Sequence, residues 1–183
     1  MSRRYARALI TGINGQDGRF IRAVPMRLPP VPGEDPVELG YVGDVADIDV
    51  ELVHLLLSRE FVPVIMPLGV AEDGTAYHID SDRLAGRLAR ALSAEKLILM
   101  TNVEGIADRR GRLAYILTAS EVDGLLADGK VADDMVPRAK AALDAVREGV
   151  RSVHIINGGV PSALLLEVLT AEGVGTAVRS DDG

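Results

Sequence analysis

Five stretches of the chain bring together residue types and spacings that could do chemistry. Residues 11–18, TGINGQDG, place three glycines and Asn14 directly after an apolar run. Such a turn can present backbone amides to a phosphate, although its spacing is neither GxGxxG nor a Walker loop, and a tight turn into a hairpin explains the same residues. Residues 77–92, YHIDSDRLAGRLARAL, set Asp82 in the first turn of an expected helix. A carboxylate there lies close to the carboxyl ends of sheet strands, where α/β proteins bind ligands. Asp80, Ser81 and Asp82 would equally serve as caps that complement the helix dipole.

Residues 99–108, LMTNVEGIAD, read as a strand ending in a polar turn around Gly105. Residues 129–143, GKVADDMVPRAKAAL, read as a loop entering an amphipathic helix with Arg138 and Lys140 in its early turns. Helix-start amides and a guanidinium can hold a phosphate. The alternative is that Asp133 and Asp134 cap this helix and that its basic residues form a solvated face. The last stretch, SVHIINGGVPSALLLEVL, reads as strand, Gly-Gly turn and helix, with the glycines serving packing and close backbone approach.

The elements that must position these stretches alternate between short β-branched runs and helical periods, which predicts an α/β fold with a mainly parallel sheet. Near-continuous apolar strands are expected at 8–12, 62–67, 96–101, 152–157 and 175–179, as suits strands covered on both faces. Helices are expected at 50–60, 81–92, 119–127, 135–148 and 161–171. Residues 19–26 and 38–45 flank a Pro-rich connector and predict a solvent-exposed hairpin. Capping is expected from Asp80 or Ser81, and from Thr118 or Ser120, with Pro161 in the first turn of the last helix.

Composition narrows the function classes. The 183 residues are 48% hydrophobic and suit a single domain with a substantial core. The absence of cysteine excludes disulfides and thiolate metal sites, and three scattered histidines argue against a histidine metal centre. A net charge of -7 offers no global attraction for nucleic acid or anionic membrane, so an anionic ligand must be held locally. The amino-terminal run is too short for an export signal, and a cytoplasmic protein is expected.

In this order the five stretches resemble the acetylglutamate kinase family of the amino acid kinase superfamily. EKLILMTNVEGIAD is similar to the family's nucleotide strand and turn, YHIDSD to its NxNAD segment, VADDMVPRAKAAL to its GGMxPKxxAA stretch, and SVHIINGGVPSALLLEVLTAEGVGTAV to its carboxyl-terminal signature. GINGQDGRFIRA and ELGYVGDV resemble its glycine turn and hairpin. The resemblance runs over essentially the whole chain and corresponds to the later part of a family member. It implies a three-layer α/β/α sandwich in which residues 1–183 form one domain like the family's ATP-binding lobe, with a hairpin insert at about 19–45.

It also implies phosphoryl transfer from ATP with Mg2+ to the side-chain carboxylate of N-acetyl-L-glutamate, a step of arginine biosynthesis. Asn102, Val103, Glu104, Gly105, Ile106 and Ala107 would line the nucleotide, together with Lys130, Val131 and Ala132. Asp82 would organise the basic groups, Arg138 would stand at the transition-state lysine position, and His78 would bind the amino acid substrate. No metal-ligating protein residue is implied. The chain departs from the family at Arg138, Asp134, Asn102 and His78, where lysine, glycine, aspartate and asparagine are usual. The family's Lys-x-Gly-Gly and Gly-Gly-His-Gly loops have no counterpart here, which predicts impaired activity for this chain alone. The alternative is a non-catalytic pseudokinase, or a regulatory or assembly partner of a full-length amino acid kinase. Exposed sheet edges and apolar helix faces are expected, and with them a homo-oligomer or a complex with a chain supplying the rest of the site.

Overall fold

The computed structural model describes residues 9–27, 38–108, 110–170 and 173–181. The expected Pro-rich connector at 28–36 and the first residues of the chain lie outside these. Backbone contacts divide the chain into two compact units, residues 1–84 and 85–183. No helix among the described residues is long and apolar enough to cross a membrane.

In the first unit, β1 (Leu9–Ile13) runs parallel to β4 (Phe61–Ile65), and α1 (Glu51–Ser58) packs on β4. The hairpin strands β2 (Ile21–Arg27) and β3 (Glu38–Ile48) pair antiparallel, as the sequence predicts. They are joined by two short strands, β5 (Leu68–Val70) and β6 (Ala76–Ile79), into a closed four-stranded ring. One side of the hairpin is solvent-facing, with Arg22 and Val24 exposed. The other buries Ile21, Ala23 and Val45 inside the ring. The ring is tight: a Cβ on Gly69 would fall 2.7 Å from Ala23 Cβ.

α2 (Ser81–Ala91) begins in the first unit and ends in the second. Asp80 Oδ1 accepts the Arg83 amide at 2.9 Å, so Asp80 is the residue that caps it.

The second unit is built on β7 (Lys96–Thr101), β8 (Ile116–Thr118), β9 (Ser152–Asn157) and β10 (Thr176–Arg179), in the spatial order β7-β9-β10-β8. β9 is parallel to β7 and antiparallel to β10, which is parallel to β8. Across the described residues five strand pairings are parallel and three antiparallel, so the sheets are mixed with a parallel majority. α3 (Ala119–Ala127) and α4 (Val136–Arg147) cover one face through a core of Leu99, Leu117, Val122, Leu143, Val153, Ile155 and Val178. Side chains alternate across a strand, so His154 and Ile156 point the other way, toward α5 (Ala163–Leu169). The second unit is thus a three-layer α/β/α sandwich.

The strands expected at 96–101 and 152–157 and the helix at 119–127 match the structure residue for residue. Thr118 explains the sharp start of α3. Its hydroxyl accepts the Glu121 amide at 3.2 Å while Glu121 Oε2 accepts the Thr118 amide at 2.8 Å, a reciprocal capping box. Pro161 lies two residues before α5 rather than in its first turn, because Ser162 between them adopts a left-handed conformation with φ 59°.

Removing the capping hydroxyl with Thr118→Ala is expected to cost about 1 kcal/mol. Urea unfolding should show a lower midpoint with an unchanged slope.

Candidate functional site

β7 and β9 lie side by side, and both deliver their chains to the same edge of the sheet, with Thr101 opposite Asn157. The Thr101 carbonyl accepts the Gly158 amide at 2.8 Å, and Asn157 Oδ1 accepts the Gly159 amide at 2.8 Å. Two polar turns are thereby held together at the carboxyl ends of parallel strands, the position from which α/β folds reach their ligands.

The first of these turns carries residues 102–107. Gly105 has φ 149°, and a Cβ there would stand 2.4 Å from Thr176 Oγ1. That hydroxyl accepts the Ile106 amide at 2.8 Å, and the Ile106 carbonyl accepts the Ala114 amide at 2.9 Å. The loop is therefore anchored by a residue seventy positions later. Asn102 and Glu104 are exposed, Val103, Gly105 and Ala107 are half-buried, and Ile106 is buried in the core. At its far end the amides of Arg112 and Arg110 hold the Asp108 carboxyl below the ordinary aspartate range.

Lys130, Val131 and Ala132 connect α3 to α4. The Lys130 amide donates to the Leu125 carbonyl at 2.9 Å, and the Ala132 carbonyl accepts the Met135 amide at 2.8 Å. Lys130 and Ala132 are exposed, while Val131 and Met135 are buried. Of the residues expected to line a nucleotide, Ile106 and Val131 can thus offer only backbone to a ligand. The residue preceding α4 is Met135, and no side chain caps the helix. Asp133 and Asp134 are exposed in the loop instead of serving as its cap. Arg138 is half-buried, and its Nη1 donates to the Asp134 carbonyl at 3.4 Å.

The remaining expected site residues lie in the first unit. His78 is exposed on β6, and Asp82 is half-buried in the first turn of α2. The glycine turn before β2 closes on itself: Asp17 Oδ2 accepts the Asn14 amide at 2.7 Å and Asn14 Oδ1 accepts the Gln16 amide at 2.8 Å. This supports its reading as a turn into the hairpin.

Sequence reasoning missed a buried polar network at the opposite end of the second unit's sheet. Ser152 Oγ and His154 Nε2 are 3.0 Å apart, the His154 Nδ1–H donates to Glu167 Oε1 at 2.5 Å, and the Val174 amide donates to Glu167 Oε2 at 2.7 Å. Burial pushes the Glu167 carboxyl up, but the Val174 amide and the His154 ring outweigh it and leave the group below the ordinary glutamate range. Ser152 and His154 border a cavity of about 310 Å3 that Lys96, Arg151 and Arg179 also line. The available signals were Ser-x-His along one face of β9 and a lone Glu in an otherwise apolar helix. A second cavity, about 440 Å3, is bordered by Asp108, Leu117, Ser120 and Leu125, next to the anchored turn.

Loops gathered at the carboxyl ends of parallel strands, with helices on both sheet faces, define an α/β domain of the class that takes its ligands at that end of the sheet. The chain belongs to the amino acid kinase family, whose model matches residues 2–157. It is 52% identical over 171 residues to an acetylglutamate kinase of Nitrosomonas eutropha, and 51% identical over 169 residues to one of Chromobacterium violaceum. These alignments cover 93% and 92% of this chain and 58% of each relative, so the chain spans under three fifths of the length of these curated relatives. Among solved structures it resembles the N-acetylglutamate synthase of Neisseria gonorrhoeae complexed with coenzyme A and L-arginine. The TM-score is 0.81 at 27% identity, over 97% of this chain and 39% of that one. A carbamate kinase from Giardia, 16% identical with a TM-score of 0.66 over 95% of this chain and 63% of that one, shares the fold.

Two variants test this geometry. Gly105→Ala, strained by φ and by Thr176, should lower stability by about 1–3 kcal/mol in thermal or urea unfolding. Glu167→Gln should cost about 1–3 kcal/mol near neutral pH. Because the folded carboxyl sits below its unfolded value, its contribution is full above the ordinary glutamate range, about pH 4.3, and is lost as pH falls through the folded value. The stability gap between wild type and Glu167→Gln should therefore close on acidification, and a gap constant across that range would refute the assignment.

Proposed function

We propose that this chain is the nucleotide-binding portion of an acetylglutamate kinase, taking part in phosphoryl transfer from ATP with Mg2+ to the side-chain carboxylate of N-acetyl-L-glutamate. The observation that carries the proposal is the identity of about one half to acetylglutamate kinases over more than nine tenths of this chain. The shape of the second unit supports it. Phosphoryl transfer asks the protein for positioning and for charge stabilisation rather than covalent chemistry. An anchored backbone at 102–107, an exposed Lys130 in the connection between α3 and α4, and the Arg138 guanidinium are suitable donors.

In this reading the backbone of residues 102–107 and 130–132 binds the nucleotide, with Asn102 and Lys130 adding side-chain donors. ATP supplies the transferable phosphoryl group and Mg2+ offsets its charge. Arg138 contributes fixed positive charge, as a planar fork where the family uses a compact ammonium. The exposure of Asp133 and Asp134 lets their carboxylates turn to solvent rather than oppose a triphosphate. Asp82 orders the basic groups and His78 holds the amino acid acceptor, both by resemblance. The chain works in the cytoplasm, and full turnover requires the part of the kinase that the relatives have beyond the matched region.

Calorimetry with ATP, with and without Mg2+, tests the nucleotide reading. Heat of binding and a raised melting temperature are expected, and Lys130→Glu should weaken binding at least about 10-fold. No heat and no thermal shift with millimolar ATP would overturn it. ADP release with N-acetylglutamate should be slow for the isolated chain, and the remaining portion of a relative, added in trans, should raise it. His78→Ala should raise the KM for the amino acid more than it lowers kcat.

A further inference from the structure

Thr176 is a polar side chain that water does not reach, with 0% exposure, and its strand neighbours Ala177 and Val178 are buried and apolar. A valine would fill the same space, so packing does not call for a hydroxyl there. Nor does the sheet, because Thr176 pairs with Ile155 of β9 through its backbone. The hydroxyl instead serves one residue of the turn after β7: it accepts the Ile106 amide at 2.8 Å and donates to the Ile106 carbonyl at 3.4 Å. Thr176 is itself held in place. Glu167 Oε2 accepts the Val174 amide at 2.7 Å, and a Cβ on Gly175 would fall on the Ile155 carbonyl, so the chain enters β10 pressed against β9.

We propose that Thr176 is a positioning residue for the nucleotide: without touching the ligand, its hydroxyl holds the backbone of residues 102–105 in the conformation that binds ATP. This deepens the nucleotide-binding reading above and rests on it. The turn is pinned at two points, where the Thr101 carbonyl accepts the Gly158 amide and where Ile106 meets Thr176. Between them the amides of Val103, Glu104 and Gly105 have no acceptor among the described residues, so this short span is the part that can turn its donors to a ligand. Donors bind tightly only when their directions are set in advance, since ordering a loose span on binding subtracts from affinity. Other contacts do not set them. The Ala114 amide on the Ile106 carbonyl and the Ala107–Leu113 bridge belong to the excursion that the turn itself begins, whereas Thr176 ties it to the sheet. Gly105 is fitted to the same hydroxyl, because a Cβ there would collide with Thr176 Oγ1. Removing the hydroxyl leaves the Ile106 amide buried without a partner, and the turn must shift to bring that amide to water.

The test compares Thr176→Val, which keeps the shape and loses the hydroxyl, with Thr176→Ser, which keeps the hydroxyl, by calorimetry with ATP and Mg2+ at a temperature where both are folded. Thr176→Val should weaken ATP binding about 10-fold, and Thr176→Ser should stay within about 3-fold of wild type. Thr118→Ala serves as the control for stability alone: it should lower the melting temperature and bind ATP as wild type does. Amide hydrogen exchange reads the turn without any ligand. In the wild-type chain the Ile106 amide should exchange as slowly as those of β9, and Thr176→Val should speed exchange at Ile106 while leaving β9 protected. Rapid exchange at Ile106 in the wild-type chain overturns the proposal even if Thr176→Val misfolds. So does a Thr176→Ser chain that binds ATP as weakly as Thr176→Val, or a Thr118→Ala chain that loses as much affinity. Equal ATP binding by wild type and Thr176→Val removes this inference alone, whereas a wild-type chain that binds no ATP removes the nucleotide reading and this inference with it.

Discussion

The second unit depends on the burial of β9. Every residue from Ser152 to Ile156 is buried, and the strand is paired on both edges, by β7 and by β10. A strand in that position must satisfy both faces at once. Val153 and Ile155 do so by joining the aliphatic core under α3 and α4, a non-directional contact that tolerates modest repacking. On the other face Ile156 is apolar, but His154 is not. Its ring can be buried only because Glu167 and Ser152 bond both nitrogens.

That requirement fixes α5. To bring Glu167 to His154 the helix must turn its carboxylate inward, and a helix of seven residues that gives its inner face to Ala163 and Glu167 has nowhere to place its leucines except outside. The exposed apolar stripe and the buried polar pair are therefore two results of one geometric choice. The same strand also separates two environments. Its amino end, at Ser152, opens on a cavity rich in arginine and lysine, and its carboxyl end, at Asn157, holds the polar turns of the candidate nucleotide site.

The parts of this fold most legible in the sequence are those whose cause is local. β7 and β9 are near-continuous apolar runs bounded by polar residues, and α3 begins where Thr118 and Glu121 make a capping box, so their bounds follow from adjacent residues. β5, β6 and β8 are three or four residues long, LGV, AYHI and ILT, and form because neighbouring strands pair with them. No local pattern of that length distinguishes a strand from a connection. In the site, Gly105 marked the turn after β7. The inward direction of Ile106 and Val131 was hidden, because a loop has no period from which to read a face. The His154–Glu167 pair was equally hidden, since it joins a strand to a helix and takes its meaning from the layer between them.

The anchoring of the 102–107 turn also sets an order of events. Thr176, whose hydroxyl holds the Ile106 amide and whose strand pairs with β9, lies seventy residues downstream. During synthesis β7 and its turn leave the ribosome well before that anchor exists, and closing so distant a contact carries a loop-entropy cost that only the assembled sheet offsets. The native geometry of the candidate turn thus requires β10 to be in place. A chain stopped short of β10 would lack Thr176, and with it the hydroxyl that holds the Ile106 amide and the turn around Gly105.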